Sequence, residues 1–83
     1  MYNVVVKNQA RKSLEKIDKR FVPRIKGAIR LLQEYPLLGK PLEGEYEGQR
    51  SLRVWPYRII YEIYKHQLVI LIIAIKHRQN VYK

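Results

Sequence analysis

The sequence predicts a small α+β domain in the order β-α-α-β-β-β, a helical hairpin packed on one face of a mostly antiparallel four-stranded sheet. Three observations predict it. The N-terminal half carries two apolar stripes at helical spacing. The C-terminal half carries two β-branched apolar runs, Tyr57–Tyr64 and Gln67–Ile75, around the polar break Lys65-His66, which is the composition of a hairpin. Between the halves lies a stretch rich in glycine, proline and glutamate that belongs to neither.

The elements follow in chain order. Tyr2–Lys7 (YNVVVK) is short and β-branched, a first strand. Asn8 is an N-cap candidate, and behind it Ala10, Leu14 and Ile17 recur at helical spacing while Arg11, Lys12, Glu15 and Lys16 face outward. A break is expected near Asp18-Lys19. The second helix carries Phe21, Ile25, Ala28, Ile29 and Leu32, and it starts between Arg20 and Val22 because Pro23 fits only a first turn. Gly27 in its interior is read as a close-packing position, and Pro36 ends the helix. Leu37–Gly48 is a loop, expected to be ordered through Leu37, Leu38 and Leu42. Gln49–Val54 is a strand, Trp55-Pro56 a turn or bulge, and Tyr57–Tyr64 and Gln67–Lys76 complete the sheet. Positions 68 to 75 are apolar without interruption, so that strand is expected to be central and covered on both faces.

Eighty-three residues support one domain, 1–83, and an apolar fraction of 47% supplies one core. The absence of cysteine excludes disulfides and thiolate metal sites. Met1–Lys7 does not have the pattern of a signal peptide, and no apolar run approaches the ~20 residues of a membrane helix, so a cytoplasmic protein with no membrane contact is expected. Seventeen Lys and Arg against seven Asp and Glu leave a net charge of +10, which points to an anionic partner such as nucleic acid. From Gln49 onward only Glu62 opposes Arg50, Arg53, Arg58, Lys65, Lys76, Arg78 and Lys83. If the strands pair, the cations at their ends meet at one edge of one sheet, a place to hold a phosphodiester.

The element order, the segments GKPLEG (39–44) and LRVWPYRIIYEI (52–63), and the ending IKHRQNVYK (75–83) resemble the RelE/ParE superfamily, the toxin components of bacterial and archaeal toxin–antitoxin pairs. The most specific parts are Leu52-Arg53-Val54, then Tyr57 to Tyr61, then His77-Arg78 with Val81-Tyr82. Within that superfamily, RelE-like members are ribosome-dependent endoribonucleases that cut mRNA in the A site. ParE-like members share the fold and poison DNA gyrase. A tyrosine after a basic C-terminal segment is similar to the RelE side, so the resemblance implies an mRNA interferase, with a gyrase inhibitor as the alternative.

Metal-free RNA cleavage needs a base for the ribose 2′-OH, cations on the phosphorane oxygens, and an acid for the departing 5′-oxygen. Arg58 matches the arginine of the family's Tyr-Arg pair and offers an always-charged bidentate fork. Arg50 and Arg53 are candidates for binding RNA phosphates; three apart, they point to opposite faces of a regular strand, so one lines the site. Lys76, His77 and Arg78 are consecutive, and either Lys76, an RNA-binding candidate, or Arg78, a catalytic one, matches the family's C-terminal basic residue. His77 is the acid–base candidate, since histidine is the side chain that titrates near neutrality. Tyr82 is a candidate base, or a platform for a nucleobase. The family's best-known ribonucleases place lysines before the Tyr-Arg pair, where this chain has Arg50, Ser51 and Arg53. No cofactor and no metal are expected, since two histidines without a carboxylate cluster make no metal site. The resemblance implies as partners the ribosome, its mRNA and a cognate antitoxin, through whose DNA-binding part the complex binds operator DNA.

Overall fold

The computed structural model describes residues 1–78. Five strands form one sheet in the order β1-β5-β4-β3-β2, with β1 Asn3–Val6, β2 Lys40–Pro41, β3 Arg50–Val54, β4 Tyr57–Tyr64 and β5 Val69–His77. All neighbours are antiparallel except β1 and β5, which the helical crossover leaves parallel. Helices α1 (Asn8–Lys16) and α2 (Val22–Glu34) intervene between β1 and β2. Their apolar stripes, Ala10 and Ile17, then Ile25 and Leu32, form one buried cluster with Val54, Ile59, Tyr61, Ile70, Ile72 and Ile75 of the sheet. Fully buried Ile25, Leu32, Ile59, Ile70 and Ile72 contribute roughly 1.5–3 kcal/mol each relative to exposure. β5 lies inside the sheet, between β1 and β4, as expected, but the helices cover only one of its faces, and Val69 and Leu71 on the other are half-buried.

Several local expectations are corrected. The sheet has a fifth strand, because Lys40 and Pro41 pair with Ser51 and Arg50. Two residues at an edge carry no composition signal, and proline is tolerated there because an edge leaves its missing donor uncalled for. Asn8 is the first helical residue and not the N-cap. Lys7 takes that position because its N–H ends the sheet ladder on Ile72 O while its carbonyl accepts the first helical bond from Arg11 N–H. The hairpin turn is longer than its polar dipeptide: Leu68 adopts φ 57° and β5 begins only at Val69. Gly27 is not a packing contact, since a Cβ there would meet nothing within 4 Å among the described residues.

The loop after α2 is held by polar contacts and, of its leucines, by Leu42 alone, which is half-buried beside Ile60 and Ala74. Leu37 and Leu38 are 64% and 48% exposed. Tyr61, fully buried, donates its hydroxyl to Pro36 O at 2.6 Å and accepts from Gly39 N–H at 2.9 Å. Arg50 donates through Nε and Nη2 to Gly39 O at 3.0 and 2.7 Å, and through Nη2 to Leu37 O at 3.3 Å. A side chain on Gly39 would stand 2.7 Å from the Tyr61 hydroxyl, so glycine is needed there for space.

Candidate nucleic-acid interface

Strand alternation divides the cations of the C-terminal half between the two sheet faces. Leu52 and Val54 of β3 pack into the helix-side core, so Ser51 and Arg53 point to the opposite, open face. Residues opposite each other on neighbouring strands share a face, and the register sets Arg53 against Arg58 and Arg58 against Lys76. Three cations on three adjacent strands therefore stand abreast. Two strand spacings place the outer pair about 10 Å apart at the backbone.

Lys76 owes its place in this row to a β-bulge. Tyr61 pairs with Ile72 and Ile60 with Ala74, leaving Ile73 as the extra residue of β5. Below the bulge Ile70 and Ile72 face the helices; above it Ile75 and His77 do, and Lys76 turns to the open face. In a regular strand, the alternation from Ile72 would have aimed Lys76 at the core.

Among the described residues, no side chain of Arg53, Arg58 or Lys76 makes a hydrogen bond or ion pair. Like charges set directly opposite one another repel, so the fold gains nothing from this arrangement by itself, and an anion laid across it would relieve the repulsion. On one side of the row, Lys40, Ser51, Arg53 and Arg58 line an open depression of about 430 Å³. Among the described residues, the Ser51 hydroxyl buried there has no hydrogen-bond partner. A second cleft has Ile60, Ile73 and Ala74 among its apolar lining, with Gln9 and Gln49 supplying amides and Lys76 a charge. Glu62 is occupied by the Tyr64 hydroxyl, which donates to its Oε1 at 2.7 Å; that bond raises the Tyr64 pKa.

The structure thus brings together Arg53, Arg58 and Lys76 and separates the other candidates from them. Arg50 lies on the opposite face with its guanidinium on the carbonyls of Leu37 and Gly39. His77 also turns away from the row, its ring edge-on to Tyr57 with centroids 5.4 Å apart. Arg78 follows the strand at the end of the row, its Cζ 4.8 Å from the Trp55 ring centroid. Tyr82 lies outside the described residues. Lys40 joins the open face through β2, opposite Ser51, which sequence reasoning missed because its segment reads as loop. Among the described residues, no group of three His, Cys, Asp or Glu is placed to hold a metal ion.

Residues 4–82 match the family described as the ParE toxin of type II toxin–antitoxin systems, parDE. Toxin RelG of Mycobacterium tuberculosis is 32% identical over 84 residues, spanning 99% of this chain and 97% of the relative. A chain of the toxin–antitoxin complex RelBE2 from the same organism superposes with a TM-score of 0.85 at 33% identity, covering 93% of this chain and 98% of that one. The isolated E. coli RelE toxin shares the fold at 20% identity, with a TM-score of 0.78 over 93% of this chain and 84% of its own. With the β-α-α-β-β-β order and its small added edge strand in place, the chain belongs to the ParE toxin family of the RelE/ParE superfamily and is a toxin component of a type II toxin–antitoxin system.

Proposed function

We propose that this toxin is a ribosome-dependent mRNA endoribonuclease: a deprotonated ribose 2′-oxygen bonds to the adjacent phosphorus as the P–O5′ bond breaks, leaving a 2′,3′-cyclic phosphate and a 5′-hydroxyl that takes up a proton. The observation that carries the reading is the row Arg53–Arg58–Lys76, in direct register on the open face. A phosphorane gathers negative charge on its non-bridging oxygens, and preorganised cations in a partly dry site stabilise that charge more than they stabilise the starting diester. Arg58, central and half-buried, presents the bidentate fork to those oxygens. Arg53, with Lys40, and Lys76 hold the phosphates on either side.

Arg53 and Arg58 supply charge and not proton transfer, because guanidinium groups stay protonated. Tyr82 is assigned the remaining chemistry, as base or stacking partner, on the strength of its match to the family's C-terminal tyrosine. His77, turned to the helix side against Tyr57, supports that end of the sheet. The likeness to toxin RelG supports the RelE side of the superfamily, and the solved RelE and YafQ structures share the fold.

Solved relatives from M. tuberculosis, E. coli, Pyrococcus horikoshii and Staphylococcus aureus are toxin–antitoxin complexes, and we extend that partnership to this chain. A cognate antitoxin with an acidic segment would order on the +10 surface and cover or displace the region from Arg58 to Tyr82. Through the antitoxin the pair would bind operator DNA. The place of action is the cytoplasm, on the ribosome; no helix among the described residues is long and apolar enough to cross a membrane.

The family description, which names ParE, favours a second reading in which the same face binds DNA gyrase without chemistry. One experiment separates the two. The toxin is added to a reconstituted translation reaction and the mRNA is mapped by primer extension, with a ribosome-free control. New cuts that require ribosomes are the expected result. Intact mRNA together with inhibited gyrase supercoiling would replace the ribonuclease reading with the second one.

A further inference from the structure

An exposed aromatic plate flanks the cationic row. The β3–β4 turn carries Trp55 two residues past Arg53, and the chain carries Arg78 two residues past Lys76. The two side chains meet, with the Arg78 guanidinium 4.8 Å from the indole centroid. Their backbones are tied down as well: Arg78 N–H donates to Pro56 O at 2.8 Å, and Arg24 Nη1 of α2 donates to Trp55 O at 3.0 Å. Core packing takes the neighbours instead, since Val54 is buried and Tyr57 packs edge-on against Phe21 at 5.8 Å. Trp55 itself keeps 55% of its surface in water. A large apolar ring on a fixed turn, more than half exposed beside unpaired cations and with Arg78 against it, is arranged for a ligand that is flat at one point and anionic at the next.

We infer that Trp55 is a stacking platform for the nucleobase adjacent to the phosphate held by Arg53, Arg58 and Lys76. The inference rests on the proposed RNA reading and adds to it a second contact of a different kind. Bases project to the side of their own phosphates, so a platform belongs beside the cationic row and not on it. Every base has a π-face, so the contact is tolerant of sequence and selects unpaired RNA, whose bases are free to leave their neighbours. Arg78 steadies the indole through its cation–π contact and brings one more positive charge to the end of the row.

Trp55 is the chain's single tryptophan, so its fluorescence reports the contact directly. The full-length protein is titrated at low ionic strength with single-stranded hexaadenylate and with an abasic oligoribonucleotide of equal length and charge. Hexaadenylate should quench the tryptophan saturably, while the abasic strand binds without quenching. In anisotropy titrations with labelled strands, Trp55→Ala should weaken hexaadenylate binding about 5- to 150-fold. The same variant should change abasic-strand binding less than about twofold, because the backbone contacts are untouched. Trp55→Phe should recover most of the affinity, and Trp55→Leu, apolar but without a π-face, should behave as Trp55→Ala. Equal quenching by both strands, or equal loss of both in Trp55→Ala, would overturn the platform and leave the RNA reading standing. Failure of the wild type to bind either strand would overturn the platform, while the RNA reading is decided separately by the translation reaction.

Discussion

The two faces of the sheet treat polar groups in opposite ways. On the helix-bearing face Tyr61 is fully buried and its hydroxyl both donates and accepts, while Arg50 beside it spreads its N–H groups over the carbonyls of Leu37 and Gly39. On the open face Arg53, Arg58 and Lys76 stand abreast with no partner among the described residues. The first arrangement lowers the energy of the folded chain alone. The second becomes favourable only when an anion arrives. Two arginines three residues apart on β3 thus have different work, and which face each occupies decides it.

That contrast can be broken at its stable end first. Tyr61→Ala removes a fully buried ring and both of its hydrogen bonds, and it should cost about 3–5 kcal/mol in urea unfolding. Tyr61→Phe, which leaves Gly39 N–H and Pro36 O without their partner, should cost about 1–3 kcal/mol. RNA binding by the folded fraction of either variant should match wild type. Gly39→Ala drives a methyl to within 2.7 Å of the Tyr61 hydroxyl and 2.9 Å of Ser51 O, with an expected loss of about 1–3 kcal/mol by the same measurement. Gly27→Ala works in the other direction. With open space around it in α2, it should raise stability by about 1 kcal/mol and leave RNA affinity alone.

The smallest effect concerns the exposed pair Asp18–Arg20. The side-chain hydrogen bond from Arg20, and then its backbone N–H, hold the Asp18 carboxyl at about 2 against an ordinary 3.8. A carboxyl depressed on folding contributes stability above its unfolded pKa and loses it as pH falls through its folded value. Solvent screens this fully exposed pair. Comparing urea midpoints at about pH 5 and about pH 2.5, wild type should therefore fall only slightly more than Asp18→Asn.

The sequence makes some of this visible and hides the rest for physical reasons. Ile25, Ala28, Ile29 and Leu32 announce α2 because a helix repeats its buried face every three to four residues, and all four pack in or against the core. β2 is hidden, since two residues in a loop-like stretch carry no period. The site's residue types are legible and its assembly is not. Arg53 and Arg58 can be paired only once the turn at Trp55-Pro56 sets the register. The placement of Lys76 depends on the bulge at Ile73, and a run that is apolar at every position from 68 to 75 has no alternation in which a bulge could be seen. Trp55 reads as a turn residue until its exposure and its contact with Arg78 are known.

On the proposed reading, function follows the open face and not the overall charge. The most direct test is mRNA cleavage on the ribosome by Arg53→Ala, Arg58→Ala and Lys76→Ala, measured beside Arg30→Ala, which removes an exposed cation from α2. Arg58→Ala should lower the cleavage rate about 10²–10³-fold, the cost typical of losing one transition-state donor, with smaller losses for its two neighbours and none for Arg30→Ala. Equal losses in all four variants, or full activity without Arg58, would contradict the account.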